Sequence, residues 1–325
     1  MRPDLCRTGS EPASDTLAAV ASDTELTVAV EPRSAPWIDA AVEDGGGRLV
    51  APGSASSLVW THNDDAAGLA ALLAANPGIG WVQLPWAGVE PYRALFADGR
   101  VWSCAKGVYA DPVAEHALAL LLAGFRSLHR YSAATSWGEQ AGRNLFDARV
   151  TIVGGGGIGR VLLDLLAPFR CEVTVVRRHP DPLDGATRVV GADGLLEALR
   201  GADAVVLALP LLPETVGLIG ARELDAMDDH AWLVNVARGA HVDTDALVDA
   251  LASGAIGGAA LDVTDPEPLP DGHPLWDLPN VIITPHTGNT RAMARPLLGA
   301  RITENVRRRI AGQPLVGLVD VDLGY

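Results

Sequence analysis

The sequence predicts an α/β protein of parallel sheets flanked by helices, arranged as two alternating halves. Three observations carry that expectation. The first third alternates short apolar runs with helical patterns. A second alternating series begins at Arg149 and runs to Thr284. Between its first strand and first helix stands a glycine-rich turn, Val153-Gly-Gly-Gly-Gly-Ile-Gly-Arg160. Strands that alternate with helices pair in parallel, and the crossovers cover both faces of the sheet.

In the first half, Leu26–Val30 reads as a strand and Trp37–Glu43 as a short helix ended by Gly45-Gly-Gly47, since glycine supplies the geometry in which helices commonly stop. Arg48–Ala51 and Leu58–Thr61 read as strands. Asp64 or Asp65 can cap the helix that runs to Ala75 by accepting from a free amide of its first turn, and Gly80–Leu84 is the next strand. Pro112–Arg130 carries a long apolar stripe (Val113, Ala117, Leu120, Leu121, Leu128), long enough to cross between two domains.

In the second half the expected strands are Val150–Val153, Glu172–Val176, Ala204–Ala208, Ala231–Asn235, Ala259–Asp262 and Val281–Thr284, with helices starting near Gly157, Gly191, Glu214 and Asp243. Six such strands complete a doubly wound coenzyme domain. After His286 the chain turns helical over Arg291–Ile310 and ends in a short apolar tail. The expected layout is a loose tail over residues 1–24, a substrate domain over 25–111 plus 291–325, and a dinucleotide-binding Rossmann domain over 112–290.

Bulk composition narrows the function classes. With 325 residues the chain is long enough for two cores. No apolar run approaches the roughly 20 residues that span a bilayer. Residues 1–24, polar and broken by Pro3 and Pro12, do not read as a secretory signal. Cys6, Cys104 and Cys171 are scattered and odd in number, which suits a reducing cytoplasm better than a disulfide framework. A net charge of −15 disfavours nucleic acid, whose phosphates demand clustered cations. The one basic cluster, Arg307-Arg-Arg309, reads as a solvated helix face. No metal site is expected.

Gly154-x-Gly156-x-x-Gly159 follows its strand directly and opens a helix. Gly154 allows the tight turn, Gly156 lets the backbone approach a pyrophosphate, and Gly159 lets helix and strand pack closely. The next strand normally ends in an acidic residue that binds the adenosine ribose. Here it ends Val173-Thr-Val-Val-Arg177-Arg178-His179. A carboxylate would repel a 2′-phosphate, whereas guanidinium groups pair with it. The sequence therefore leans to NADP(H) over NAD(H), the alternative being that an arginine stacks on adenine or faces solvent.

Three groups in this half can do chemistry. Arg238, in Asn235-Val-Ala-Arg238-Gly239, closes a strand at the carboxyl edge, where open α/β sheets bind ligands. Its fork can meet a carboxylate and polarise a ketone together, or it can pair with a local acid. His286, after Pro285, is the candidate proton donor. Glu267, in the proline-stiffened loop Leu261-Asp-Val-Thr-Asp-Pro-Glu-Pro, can orient that imidazole and raise its pKa. Asp262 is a weaker candidate for the same network, and Asp265 reads as a loop residue. In the first half, Pro85-Trp-Ala87-Gly88-Val89-Glu90 can offer a nest of amides to a carboxylate. Trp60, His62, Trp86, Tyr109 and Trp276 are candidate pocket walls, each as readily packing or surface.

Together these residues resemble the D-isomer-specific 2-hydroxyacid dehydrogenase family, over nearly the whole chain from about Leu26. The most specific stretches are Ala87-Gly-Val, Val113-Ala-Glu-His-Ala-Leu, the glycine turn, Leu209-Pro-Leu-Leu-Pro-Glu-Thr, Leu233-Val-Asn-Val-Ala-Arg-Gly, Leu261-Asp-Val and Thr284-Pro-His. The resemblance implies that Arg238 binds substrate, that Glu267 and His286 are the acid/base pair, and that Ala87, Gly88 and Val89 contribute carboxylate-binding amides. It also implies a flavodoxin-like substrate domain, a cleft between domains and a homodimer. The expected coenzyme contacts are Gly154, Gly156, Gly157, Ile158, Gly159, Arg177, Arg178, Leu209, Pro210, Val236, Ala237, Asp262, His286 and Gly288.

Two departures stand out. Arg177-Arg178 replaces the acidic ribose ligand, which resembles NADP-preferring glyoxylate and hydroxypyruvate reductases. The usual Thr of the LPxTPxT segment is Leu212, so a hydroxyl is lost there. The formate-oxidising branch fits less well, because it pairs Gln, not Glu, with the histidine. The expected activity is reversible reduction of a small 2-oxo acid to the D-2-hydroxy acid. One rival is a dinucleotide-sensing, co-repressor-like interaction protein, which would tolerate loss of the acid/base pair that is present here. The other is phosphoglycerate or phosphite oxidation; the phosphoglycerate form would want more cations around the first-domain loop than the sequence shows.

Overall fold

The computed structural model describes residues 25–321, so the tail expected over 1–24 lies outside the described residues. The first sheet comprises β1 (Thr27–Glu31), β2 (Arg48–Leu49), β3 (Ser57–Trp60), β4 (Trp81–Gln83) and β5 (Val101–Ser103), with helices α1 (Pro36–Asp44) and α2 (Ala66–Ala75). Helices α3 (Ala110–Phe125) and α4 (Leu128–Ser132) lead to the second sheet. Its strands are β6 (Arg149–Val153), β7 (Glu172–Val176), β8 (Arg188–Val190), β9 (Ala204–Leu207), β10 (Trp232–Asn235), β11 (Gly258–Leu261) and β12 (Val281–Ile283). Helices α5 (Gly157–Leu166), α6 (Leu195–Leu199), α7 (Ala221–Asp225) and α8 (Thr244–Ser253) lie between them, and α9 (Arg291–Ile310) returns to the first sheet.

The strand orders are β2-β1-β3-β4-β5 and β12-β11-β10-β9-β6-β7-β8, and every pairing is parallel. The first is the flavodoxin-like order; the second is the Rossmann order with one strand added beyond its edge. Continuous burial explains the near-continuous apolar runs. All four residues of β3, of β9 and of β10 are buried, as expected for strands covered on both faces. Along α9, Ala294, Leu298, Ile302 and Val306 recur at four-residue spacing and bury against Ile38, Ala41 and Val42 of α1. That contact fixes the end of the chain to the first sheet.

The fold corrects several sequence expectations. Strands β5 and β8 were not foreseen, since three residues are too few to establish a period. The run Arg48–Ala51 pairs over two residues only, because Pro52 opens a single 3-10 turn. The long apolar helix breaks at Ser127, which takes a left-handed φ of 51°. Near Glu214 there is one 3-10 turn, and the regular helix waits until Ala221. Asp65, not Asp64, caps α2 by accepting from the Gly68 amide at 2.7 Å.

Candidate active site

At the carboxyl edge of the second sheet the order reverses between β6 and β9, and the glycine turn lies there. Gly154 has φ +119°, and a Cβ on it would strike the Ala208 carbonyl. One on Gly159 would strike the Gly154 carbonyl, so only glycine lets α5 pack this close to its strand. At Gly156 a Cβ would meet nothing within 4 Å. Open space therefore adjoins the unpaired amides that begin α5, Gly157 and Ile158 among them, as a pyrophosphate requires.

The two arginines after β7 differ. Arg177 folds over the turn, and a Cβ on Gly155 would come within 3.0 Å of its Cδ. Arg178 swings to Glu214, with Nη2 donating to Oε1 at 2.6 Å. Leu209 and Pro210 follow β9 on the same edge. Thr215, the second Thr position of the LPxTPxT segment, accepts on Oγ1 from the Leu212 amide at 2.8 Å and donates to the Pro210 carbonyl at 3.1 Å. Val236 and Ala237 are buried at the end of β10.

The candidate reacting groups are assembled from three loops. His286 Nδ1 lies 2.6 Å from Glu267 Oε1, leaving Nε2 without a partner among the described residues. Both side chains are about half exposed, 52% and 42%, so the pair opens outward. The Glu267 hydrogen bond raises the His286 pKa above the ordinary imidazole range and outweighs the opposing effect of burial. The same bond holds the Glu267 carboxyl low. His286 has a left-handed φ of 50°, fixed by its amide donating to the carbonyls of Asp262 and Thr284 at 2.9 and 3.0 Å. A non-glycine residue in that region costs conformational energy that the surrounding structure must offset.

Arg238 reaches across to the first domain. A Cβ on Gly88 would overlap its guanidinium, and its Nε lies 3.4 Å from Glu90 Oε1. The Asn235 amide holds the Arg238 turn, donating to the Arg238 carbonyl at 2.9 Å and accepting from the Ala237 amide at 3.0 Å. Of the proposed carboxylate loop, Ala87 is exposed, Gly88 half-buried and Val89 buried. Farther along, Arg93 Nη2 donates to the Leu211 carbonyl at 2.6 Å, a second bond across the cleft.

Asp262 stands behind this front. It accepts from the Thr284 hydroxyl at 2.6 Å and from the amides of Thr287 and Gly288 at 2.8 and 2.9 Å, with His116 Nε2 3.2 Å away. Burial pushes its carboxyl up, but these hydrogen bonds outweigh it and hold the pKa at about 2. Asp262 thus secures the Thr284–Gly288 turn and does not reach the His286 ring.

Three participants were missed by sequence reasoning: Glu90, His116 and His241. His116 lies in the Val113-Ala-Glu-His stretch, but its partner is remote in sequence. His241 is buried and its pKa lowered by that burial. Its Nδ1 lies 3.2 Å from the Arg238 amide and 3.0 Å from the Arg238 carbonyl, and its Nε2 lies 3.2 Å from the Pro210 carbonyl. It ties the Arg238 turn to the loop after β9. Among the candidate walls, Trp60 is buried and donates to the Tyr92 hydroxyl, Tyr109 is buried against Trp86, and Trp276 is half exposed.

A family model described as D-isomer specific 2-hydroxyacid dehydrogenase, NAD binding domain, matches residues 117–288, more than half of the chain. Glyoxylate/hydroxypyruvate reductase A of Serratia proteamaculans is 34% identical over 220 residues, 66% of this chain and 69% of that protein. D-3-phosphoglycerate dehydrogenase of Mycobacterium leprae is 37% identical over 216 residues, 65% of this chain but only 41% of that longer protein. Among solved structures, a D-isomer specific 2-hydroxyacid dehydrogenase from Xanthobacter autotrophicus Py2, in complex with NADPH and MES, superposes with a TM-score of 0.79. It is 30% identical, covering 93% of this chain and all of that one.

Proposed function

The chain belongs to the D-isomer-specific 2-hydroxyacid dehydrogenase family, and on that premise we propose that it reduces a small 2-oxo acid reversibly to the D-2-hydroxy acid, with NADPH preferred to NADH. The coenzyme, when bound on the glycine turn, supplies or accepts the hydride. His286 Nε2 gives a proton to the substrate oxygen during reduction and takes it back during oxidation. Glu267 keeps the ring oriented and favours its protonated form. Arg238 and the amides of Ala87–Val89 hold the carboxylate, and Glu90 must yield its place beside Arg238 for this to happen. The single observation that carries the reading is the 2.6 Å Glu267–His286 pair, whose Nε2 has no partner among the described residues and whose charge is felt by Arg238 nearby.

The coenzyme preference rests on Arg177, which lies over the turn, more than on Arg178, which Glu214 engages. The Xanthobacter neighbour, solved with NADPH, agrees with this choice. In this reading residues 112–290 carry the coenzyme, and 25–111 with 291–325 carry the substrate. A homodimer is supported by the apolar side chains exposed around α4: Leu128, Tyr131, Phe146 and Trp137, the last 99% exposed. Sedimentation at micromolar concentration tests it, and a monomer would reject it. A reducing cytoplasm agrees with the free thiols of Cys104 and Cys171. Among the described residues no helix is long and apolar enough to cross a membrane.

The deciding experiment is the initial rate of NADPH and NADH oxidation with glyoxylate, hydroxypyruvate, pyruvate and phenylpyruvate. Turnover favouring NADPH supports both halves of the proposal. Turnover favouring NADH keeps the reaction and removes the role given to Arg177. Coenzyme binding without turnover on any 2-oxo acid rejects the reductase and favours a dinucleotide-sensing protein.

A further inference from the structure

The acid that normally closes the second strand of a dinucleotide fold has no counterpart after β7, where Arg177 and Arg178 stand. A carboxylate nevertheless reaches Arg178 from another strand. Glu214 lies in the 3-10 turn Pro213–Thr215 after β9, and its Oε1 accepts from Arg178 Nη2 at 2.6 Å.

The backbone that carries Glu214 is firmly held. Thr215 bonds both the Leu212 amide and the Pro210 carbonyl, His241 approaches the same Pro210 carbonyl, and Arg93 donates to Leu211 from the first domain. Pro213 further restricts the turn. Beyond Glu214 the carboxyl edge stays acidic. A cleft of about 470 Å³ lies between the residues after β8 and this loop, with Asp193, Glu214 and Glu223 on its wall. The cation on that wall, Arg222, is engaged by Glu223 at 2.8 Å. An anion bound beside Arg178 therefore faces a negative edge whose first member already holds the arginine.

We propose that Glu214 is a coenzyme-discriminating residue, a resident carboxylate that competes with the 2′-phosphate of NADP(H) for Arg178. The inference rests on the dinucleotide-binding reading above and refines it. A phosphate monoester carries nearly two negative charges at neutral pH and three acceptor oxygens, which makes it the stronger partner for a guanidinium. Both side chains of the pair are well exposed, 39% and 61%, and exposed pairs are weak, so the exchange is feasible. It still has a cost. NADPH must break the pair and leave Glu214 without its counter-ion beside a second anion. NADH carries a neutral 2′-hydroxyl and leaves the pair intact. Glu214 thus penalises NADPH alone and narrows the preference that Arg177 creates.

Calorimetric titration with adenosine 2′,5′-bisphosphate and with AMP tests this apart from the hydride chemistry, because the two probes differ by the 2′-phosphate. Glu214→Gln should tighten the bisphosphate about fivefold and leave AMP within about twofold, with Tm unchanged. In the Arg178→Gln background most of that gain should disappear, since the two residues share one contact. Bisphosphate affinity that is unchanged in Glu214→Gln overturns the proposal. Weakened affinity also overturns it, and would make Glu214 a support for Arg178. A loss confined to AMP overturns it too, by assigning Glu214 to the ribose hydroxyls. If no variant binds the bisphosphate more tightly than AMP, the proposal and the NADPH preference fall together. Tightening by Glu214→Gln in a protein that reduces no 2-oxo acid upholds the proposal and rejects the reductase. Reduction of a 2-oxo acid with no effect of Glu214→Gln on the bisphosphate rejects the proposal and keeps the reductase.

Discussion

Two histidine–carboxylate pairs flank the turn after β12, and they are built to opposite ends. His286 and Glu267 meet at 2.6 Å with side chains 52% and 42% exposed. His116 and Asp262 stand 3.2 Å apart with side chains 19% and 4% exposed. Glu267 engages one nitrogen and leaves the other free to exchange a proton. Asp262 spends its oxygens on two amides, a hydroxyl and a histidine, leaving nothing for a substrate. In the proposed reading the same two residue types serve chemistry in one place and architecture in the other, and access decides which.

The comparison can be broken most severely at His286. His286→Ala should lower kcat by about a thousandfold, within the usual range for a general acid. Its effect on Tm should be slight, because exposed ion pairs contribute only about 0–1 kcal/mol; steady-state kinetics beside a melting curve checks both. An unchanged kcat would remove His286 from the proton transfer. Glu267→Gln should reduce kcat by roughly 10- to 100-fold and move the pH profile. Glu267 raises the His286 pKa, so the proton-donating form persists to higher pH when it is present. Without it, the descending limb of the reduction rate should shift to lower pH. A limb that stays in place would deny the pair its coupling.

On the buried side the readout changes from rate to stability. Asp262→Ala strands several donors and should destabilise the fold by about 3 kcal/mol, measured by urea unfolding, with a smaller fall in kcat than His286→Ala. Its depressed pKa has a further consequence. The stabilisation is complete above the ordinary aspartate pKa of about 4 and is lost as pH falls toward about 2, roughly 2 kcal/mol in all. Acid unfolding of the wild type in that window, absent from Asp262→Asn, would sharpen the assignment. The smallest effect is expected from His116→Ala, about 1 kcal/mol, and non-additive with Asp262→Ala because the two share a contact.

The sequence disclosed what is local. The glycine turn, its strand and its helix are contiguous, so sterics at Gly154 and Gly159 could be anticipated from spacing alone. Both ends of the Glu267–His286 pair lie on loops that leave adjacent strands, β11 and β12, which brings them together once parallel order is assumed. What stayed hidden depends on distant pairings. Glu90 meets Arg238 across two sheets, and His116 meets Asp262 from another helix. The division between Arg177 and Arg178 was equally illegible, since it turns on Glu214, which no motif ties to them.

One feature of the connectivity bears on how the protein works over many cycles. The chain passes between the two sheets twice, outward after β5 into α3 and back after β12 into α9, where the latter packs on α1. Two tethers side by side permit swinging but resist twisting. If the halves part and meet during turnover, this route returns Gly88 to the same guanidinium and Arg93 to the same carbonyl.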